Sequence, residues 1–119
     1  RVDLLKLQGN GKEENTATIR KRVEQARSIQ EKRFRKKNYT FNSEMKASDM
    51  DEFCNLGKAE KQLMELAYTN LKLSARTYHR VLKVSRTIAD LDGSERIHEK
   101  HISEALLYRL TERNHGNNG

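Results

Sequence analysis

No proline interrupts the 119 residues of the chain, and its apolar residues recur at spacings of three and four rather than in alternation. Proline breaks helices more strongly than any other residue, and half-buried strands need alternation, so both features point to an all-α fold. The length suits a single domain with one modest core. Only 34% of the residues are hydrophobic and an equal 34% are charged, so order depends on where the apolar residues fall.

Read along the chain, the pattern predicts a helical bundle. The leading segment, Arg1 to Gly11, ends in Gly-Asn-Gly and reads as an extended stretch followed by a turn. A helix is expected from about Thr16 to Arg35, with Ile19, Val23, Ala26 and Ile29 facing inward. Glu13 and Glu14 precede it and Lys and Arg crowd its end, as the helix dipole favours. NYTFN then breaks the pattern. Ser48 and Asp51 have capping-box spacing, which places a short helix from about Asp49 carrying Met50, Phe53 and Cys54. Gly57 separates this from Lys58 to Leu71, where Leu63, Leu66, Ala67 and Leu71 are expected on one face.

The most strongly written helix lies between Ser74, a good N-cap, and Gly93, a good left-handed stop. Tyr78, Val81, Leu82, Ser85, Ile88 and Ala89 form one stripe there, widened by Val84 and Leu91, and so broad a stripe marks a central helix. A last helix is expected from Glu99 to Arg113 with Ile102, Ala105, Leu106 and Leu110 inward, before a frayed tail at 114–119. The sum is a bundle of about four main helices with short connections.

Composition restricts the chemistry. A net charge of +7 and a pI near 9.7 favour a polyanionic partner: nucleic acid, a nucleotide phosphate or an acidic protein surface. The single Cys54 excludes an internal disulfide and reads as a buried thiol. With no apolar run long enough for a signal peptide or membrane span, a cytoplasmic setting and no membrane partner are expected. Because the chain opens without Met, it is expected to be a piece of a longer protein. Neither G-x-x-x-x-G-K-[ST] nor G-x-G-x-x-G occurs, so no phosphate loop is its own. His98 and His101 stand three apart rather than four as in H-E-x-x-H, which reads as capping and edge covering, with no metal site.

Two basic features remain. Arg20, Arg22 and Arg27 precede a cluster that includes Arg35, Lys36 and Lys37, suited to DNA phosphates or to an adjoining subunit. Glu24 and Glu31 share a face with Arg20 and Arg27 and offset part of that charge. Arg76 sits in the first turn after Ser74, where the helix dipole disfavours a cation. Such an arginine either meets an anion, with help from free N–H groups of the same turn, or is ion-paired to a neighbouring helix.

The strings SARTYHRVLKVSRTIADLDG and IHEKHISEALLYR, with IRKRVEQARSIQEKRF and FCNL before them, resemble the C-terminal segment of bacterial magnesium-chelatase-like AAA+ ATPases of the ComM (YifB) type. The likeness runs from about Thr16 to Arg113; Ser85 stands where the family often has Ala, and residues 1–15 match poorly. It implies an AAA+ lid-like helical domain at 16–113, a leading segment 1–15 from an upstream AAA+ core, and a disordered tail at 114–119. Arg76 would be the sensor-2 arginine facing the nucleotide phosphates, with Ser74 capping its helix. ATP with Mg2+ would be bound by the full-length protein, an ATPase, and neither bound nor hydrolysed by this chain alone. A homo-oligomeric ring acting on DNA, in recombination or branch migration, is the implied whole. An independent nucleic-acid-binding module and a purely structural subunit-interface bundle are the other two readings.

Overall fold

In the computed structural model, helices account for all regular structure among the described residues, which are 2–118 for the backbone and 15–109 for the side chains. Helix α1 spans Val2–Arg33, α2 Met50–Phe53, α3 Lys58–Asn70, α4 Ala75–Leu91 and α5 Glu99–Asn118, with 3-10 turns at Asn42–Glu44 and Ala47–Asp49. The bundle reading holds. The helical bounds also pass through 2–11 and 114–118, where an extended stretch with a turn and a frayed tail were expected; the side chains of both stretches lie outside the described residues.

Helix α4 is central, as its broad stripe implied: it packs on α5, on α1 and on the first 3-10 turn. Val81, Leu82, Ser85 and Ala89 are buried along it, meeting Ile97, Ile102 and Ala105 from the α5 side and Phe34, Met45 and Met50 from the other. Phe34 is held by ring contacts to Tyr39 at 4.9 Å and Phe53 at 5.1 Å. Cys54 is buried as expected, and burial pushes its thiol up to about 11, so it is inert as a nucleophile near neutral pH.

Both ends of α4 follow their sequence signals. Ser74 Oγ accepts the Thr77 N–H at 3.1 Å, a side-chain N-cap. At the other end Gly93 has φ 70°, its N–H reaching Asp90 O at 3.0 Å while the Ser94 N–H reaches Ala89 O at 2.8 Å, a Schellman closure. Helix α3 ends the same way without glycine: Lys72 takes φ 51° and the Leu73 N–H bonds Tyr68 O at 3.1 Å. Helix α5 starts on an imidazole, His101 Nδ1 accepting the His98 N–H at 2.9 Å, the reach-back bond that Glu or Gln makes in a capping box.

Three expectations about packing are corrected. Ile19, Val23 and Ile29 are 57%, 41% and 36% exposed; of the expected set Ala26 is buried, and α1 docks through it with Gln30, Arg33 and, just past its end, Phe34. On α3 the inward register is Met64 and Ala67 while Leu66 is 59% exposed, because Met64 with Ala67 and Leu71 makes a helical stripe as good as the one centred on Leu66. The Ser48 and Asp51 capping box does not form. Asp49 is drawn inward instead: its carboxylate accepts the Tyr39 hydroxyl, the Lys46 N–H at 3.2 Å and Lys37 Nζ at 3.3 Å. The Tyr39 bond, then the Lys46 N–H and Lys37, hold Asp49 below the usual carboxylate range, while burial and that same bond push Tyr39 up to about 12.

Candidate site at the start of the fourth helix

The first turn of α4 combines a capped entry with unpaired backbone donors. Ser74 takes the Thr77 N–H, and the Tyr78 N–H closes on Ser74 O at 2.9 Å. By helix geometry the N–H groups of Ala75 and Arg76 have no intrahelical acceptor and carry the positive end of the dipole. Arg76 projects from this turn exposed, and among the described residues it makes no ion pair or side-chain hydrogen bond. The ion pair to a neighbouring helix is therefore not made within the described residues, and its guanidinium stays available. Arg80, one turn on, is exposed yet engaged. Beside the turn lies an open hollow lined by Glu65, Tyr68, Thr69, Ala75, Tyr78 and His79. Tyr68 and Tyr78 meet edge to face there at 5.6 Å, and burial, with Glu65 adding to it, raises the Tyr78 hydroxyl.

The basic residues form a separate region. Helix α1 ends at Arg33 rather than Arg35, so Arg35, Lys36 and Lys37 lie in the turn beyond it, around a hollow shared with Lys32, Glu52 and Phe53. Lys37 is bound to Asp49, with its Nζ 6.0 Å from the Phe53 ring centre; Arg35 and Lys36 are exposed and have no ion pair among the described residues. Arg20, Arg22 and Arg27 are exposed on α1. Of Phe34, Tyr39 and Phe41, the first two are engaged in the core and Phe41, 45% exposed, is left open to stack on a base.

What sequence reasoning missed is the polar lock that aligns α1 with α4. Asp90, 1% exposed, receives Arg33 through two bonds of 2.7 Å and Asn42 Nδ2 at 2.8 Å, with Arg86 at 3.2 Å. Asn42 also accepts Arg33 at 2.8 Å and donates to Thr87 at 3.1 Å, and its own N–H meets Gln30 Oε1 at 3.0 Å. Arg86 extends the lock to the loop after α4, donating to Glu95 O at 3.0 Å and Ser94 O at 2.8 Å. Burial lowers the Arg86 guanidinium from its ordinary value, with Asp90 opposing that shift. The only sequence signal was an Arg and an Asp, four apart, on an otherwise apolar stripe. Asp90 lies about 21 Å along the axis from Arg76, so the lock fixes the direction of α4 without touching the candidate site.

His98 and His101 together form the start of α5. His101 is 2% exposed, buried rather than covering an edge, and both ring nitrogens are used: Nδ1 by the His98 N–H and Nε2 by Asp92 Oδ2 at 2.9 Å. The first bond fixes the proton on Nε2, which donates to Asp92. That bond, with Lys100, lowers the Asp92 carboxyl. Among the described residues no group of three or more His, Cys, Asp or Glu is placed to hold a metal, and no helix is long and apolar enough to cross a membrane.

Residues 13–109 match the family described as magnesium chelatase, subunit ChlI C-terminal. The competence protein ComM of Haemophilus influenzae is 43% identical over 96 residues, 81% of this chain and 18% of that protein. The uncharacterized protein YifB of Escherichia coli is 37% identical over 100 residues, 84% of this chain and 19% of that protein. The YifB of Salmonella typhimurium is 34% identical over 102 residues, with similar coverage. The chain thus spans about a fifth of the length of these relatives. It belongs to the magnesium chelatase ChlI C-terminal family, as a C-terminal domain of the ComM/YifB type.

Proposed function

We propose that this domain is the helical lid of an AAA+ ATPase, covering ATP held by an upstream core and presenting Arg76 to its phosphates. The observation that carries the reading is the first turn of α4: an exposed arginine without a partner among the described residues, beside backbone donors, at a Ser-capped helix start. A cation in that position is disfavoured by its own helix, so its charge is best satisfied by an anion from outside. When bound, ATP with Mg2+ supplies the phosphoryl chemistry. Arg76 would offset charge that builds on the phosphate oxygens, and Ser74 holds the turn that aims it. Such a site, completed in its own subunit or across a ring of copies, couples movement of α4 to the state of the nucleotide. Action on DNA by the whole oligomer, in recombination or branch migration, fits the basic charge of +7.

The test is ATP turnover by the full-length protein with Arg76→Ala. A fall of roughly ten- to a thousandfold with the fold intact is the scale for losing a charge-stabilising group. Unchanged turnover would overturn the assignment. A second reading, direct DNA binding by the domain itself, is favoured by the exposed Arg35 and Lys36. It requires that the isolated chain bind DNA with steep salt dependence, independent of Arg76.

A further inference from the structure

The buried stripe by which α1 docks on the body of its own domain continues in register past the end of that body. Ala26, 4% exposed, Gln30, 6%, and Phe34, 2%, follow one another at helical spacing against α4 and the core. Val23 and Ile19 continue the same line toward the N-terminus, yet are 41% and 57% exposed. At 100° per residue Ile19, Val23, Ala26 and Gln30 fall within about 60° of one another, so this is one face whose upstream part is left exposed among the described residues. Two β-branched side chains left partly in water on a register that is otherwise buried forgo part of the stabilisation that burial would give.

The overhang belongs to the domain, since the family match begins at residue 13 and covers it. Arg20 and Arg22, both exposed, flank Ile19 and Val23 in sequence. The matched relatives carry about four fifths of their length outside the region this chain covers. We propose that the Ile19 and Val23 face is a docking surface for the rest of the same polypeptide, which supplies an apolar groove with an acidic rim. This rests on the reading of the domain as a lid and names the contact by which its first helix would be anchored. Continuity with the buried stripe sets where the partner sits: against the end of the domain's own core, flush with Ala26. The exposed Arg20 and Arg22 beside the apolar pair set the rim's sign.

The experiment is maleimide labelling of the full-length protein, resolved by peptide mass spectrometry, with single Ile19→Cys, Val23→Cys and Lys21→Cys variants. Lys21 lies on the opposite side of α1 and serves as the open control; Cys54 is buried and its thiol raised, so it contributes little background. Positions 19 and 23 are expected to label at least about tenfold more slowly than 21, at every protein concentration. Equal rates at the three positions would overturn the proposal. Protection that disappears on dilution would overturn it as well, because the occupant would then be a second copy. Arg76→Ala turnover reads the lid assignment separately, so failure of either leaves a distinct signature.

Discussion

Replacing Asp90 by Ala tests how far one carboxylate holds the bundle in register. In the folded domain Asp90 is 1% exposed, and Arg33, Asn42 and Arg86 all donate to it. Alanine leaves the 4% exposed Arg86 without its counter-ion, and that residue already has a buried Nε with no acceptor among the described residues. Breaking a buried pair by removing one partner costs about 3–5 kcal/mol. With an unfolding entropy near 2.1 cal/mol/K per residue, a chain of 119 residues loses roughly 12–20 °C in Tm. The assay is thermal and denaturant unfolding of the chain followed by circular dichroism, with Arg33→Met and the double variant alongside. Arg33 and Asp90 should couple by about 1–3 kcal/mol, the double variant losing less than the sum of the singles. A Tm loss under about 3 °C, or simple additivity, would refute the claim that this lock fastens α1 to α4.

Other outcomes follow from the same geometry. Lys72 holds φ 51° at the end of α3, so Lys72→Gly should stabilise the domain by about 0.5–1 kcal/mol in denaturant titration, while Gly93→Ala, at φ 70° with open space around its Cβ, should destabilise it by roughly 1–2 kcal/mol. Asp49 and Asp92 have folded pKa values below their ordinary 3.8, so the stability they contribute is present above that value and lost as pH falls through the depressed ones. Tm measured against pH should therefore drop below about 4, and Asp49→Asn should flatten that drop. If the domain itself contacts DNA, Arg35→Gln and Lys36→Gln should each reduce the slope of log K against log salt by about 0.9 in fluorescence anisotropy.

How much of this was legible depended on whether a signal was local. Ser74 and Gly93 announced α4 because capping and left-handed stops are properties of a few adjacent residues. The buried stripe of α4 was equally plain, since its width left no other face to bury. Periodicity could not say whether a face had anything to pack against: Ile19 and Val23 have the right spacing, yet the body of the domain ends beside Ala26. On α3, Leu63 and Leu66 suggested a register one step of 100° from the one that buries Met64. The Asp90 lock was hidden because its partners stand 57 and 48 positions away, and nothing local marks Asn42 or Arg33 as members. Asp51 had the right offset for Ser48, but the 3-10 turn at Ala47–Asp49 gives that neighbourhood to Asp49, whose bonds to Tyr39 and Lys37 are tertiary.

Under the proposed lid function, Arg76 meets the terminal phosphate of a bound nucleotide. The most direct measurement is the affinity of the full-length protein for a non-hydrolysable ATP analogue and for ADP, in wild type and Arg76→Ala. The variant should lose at least about tenfold in affinity for the analogue, the scale of one charge-assisted contact of about 1.5–3 kcal/mol. Its affinity for ADP should hardly change. Equal losses for both nucleotides, or none for either, would rule out contact between Arg76 and the terminal phosphate.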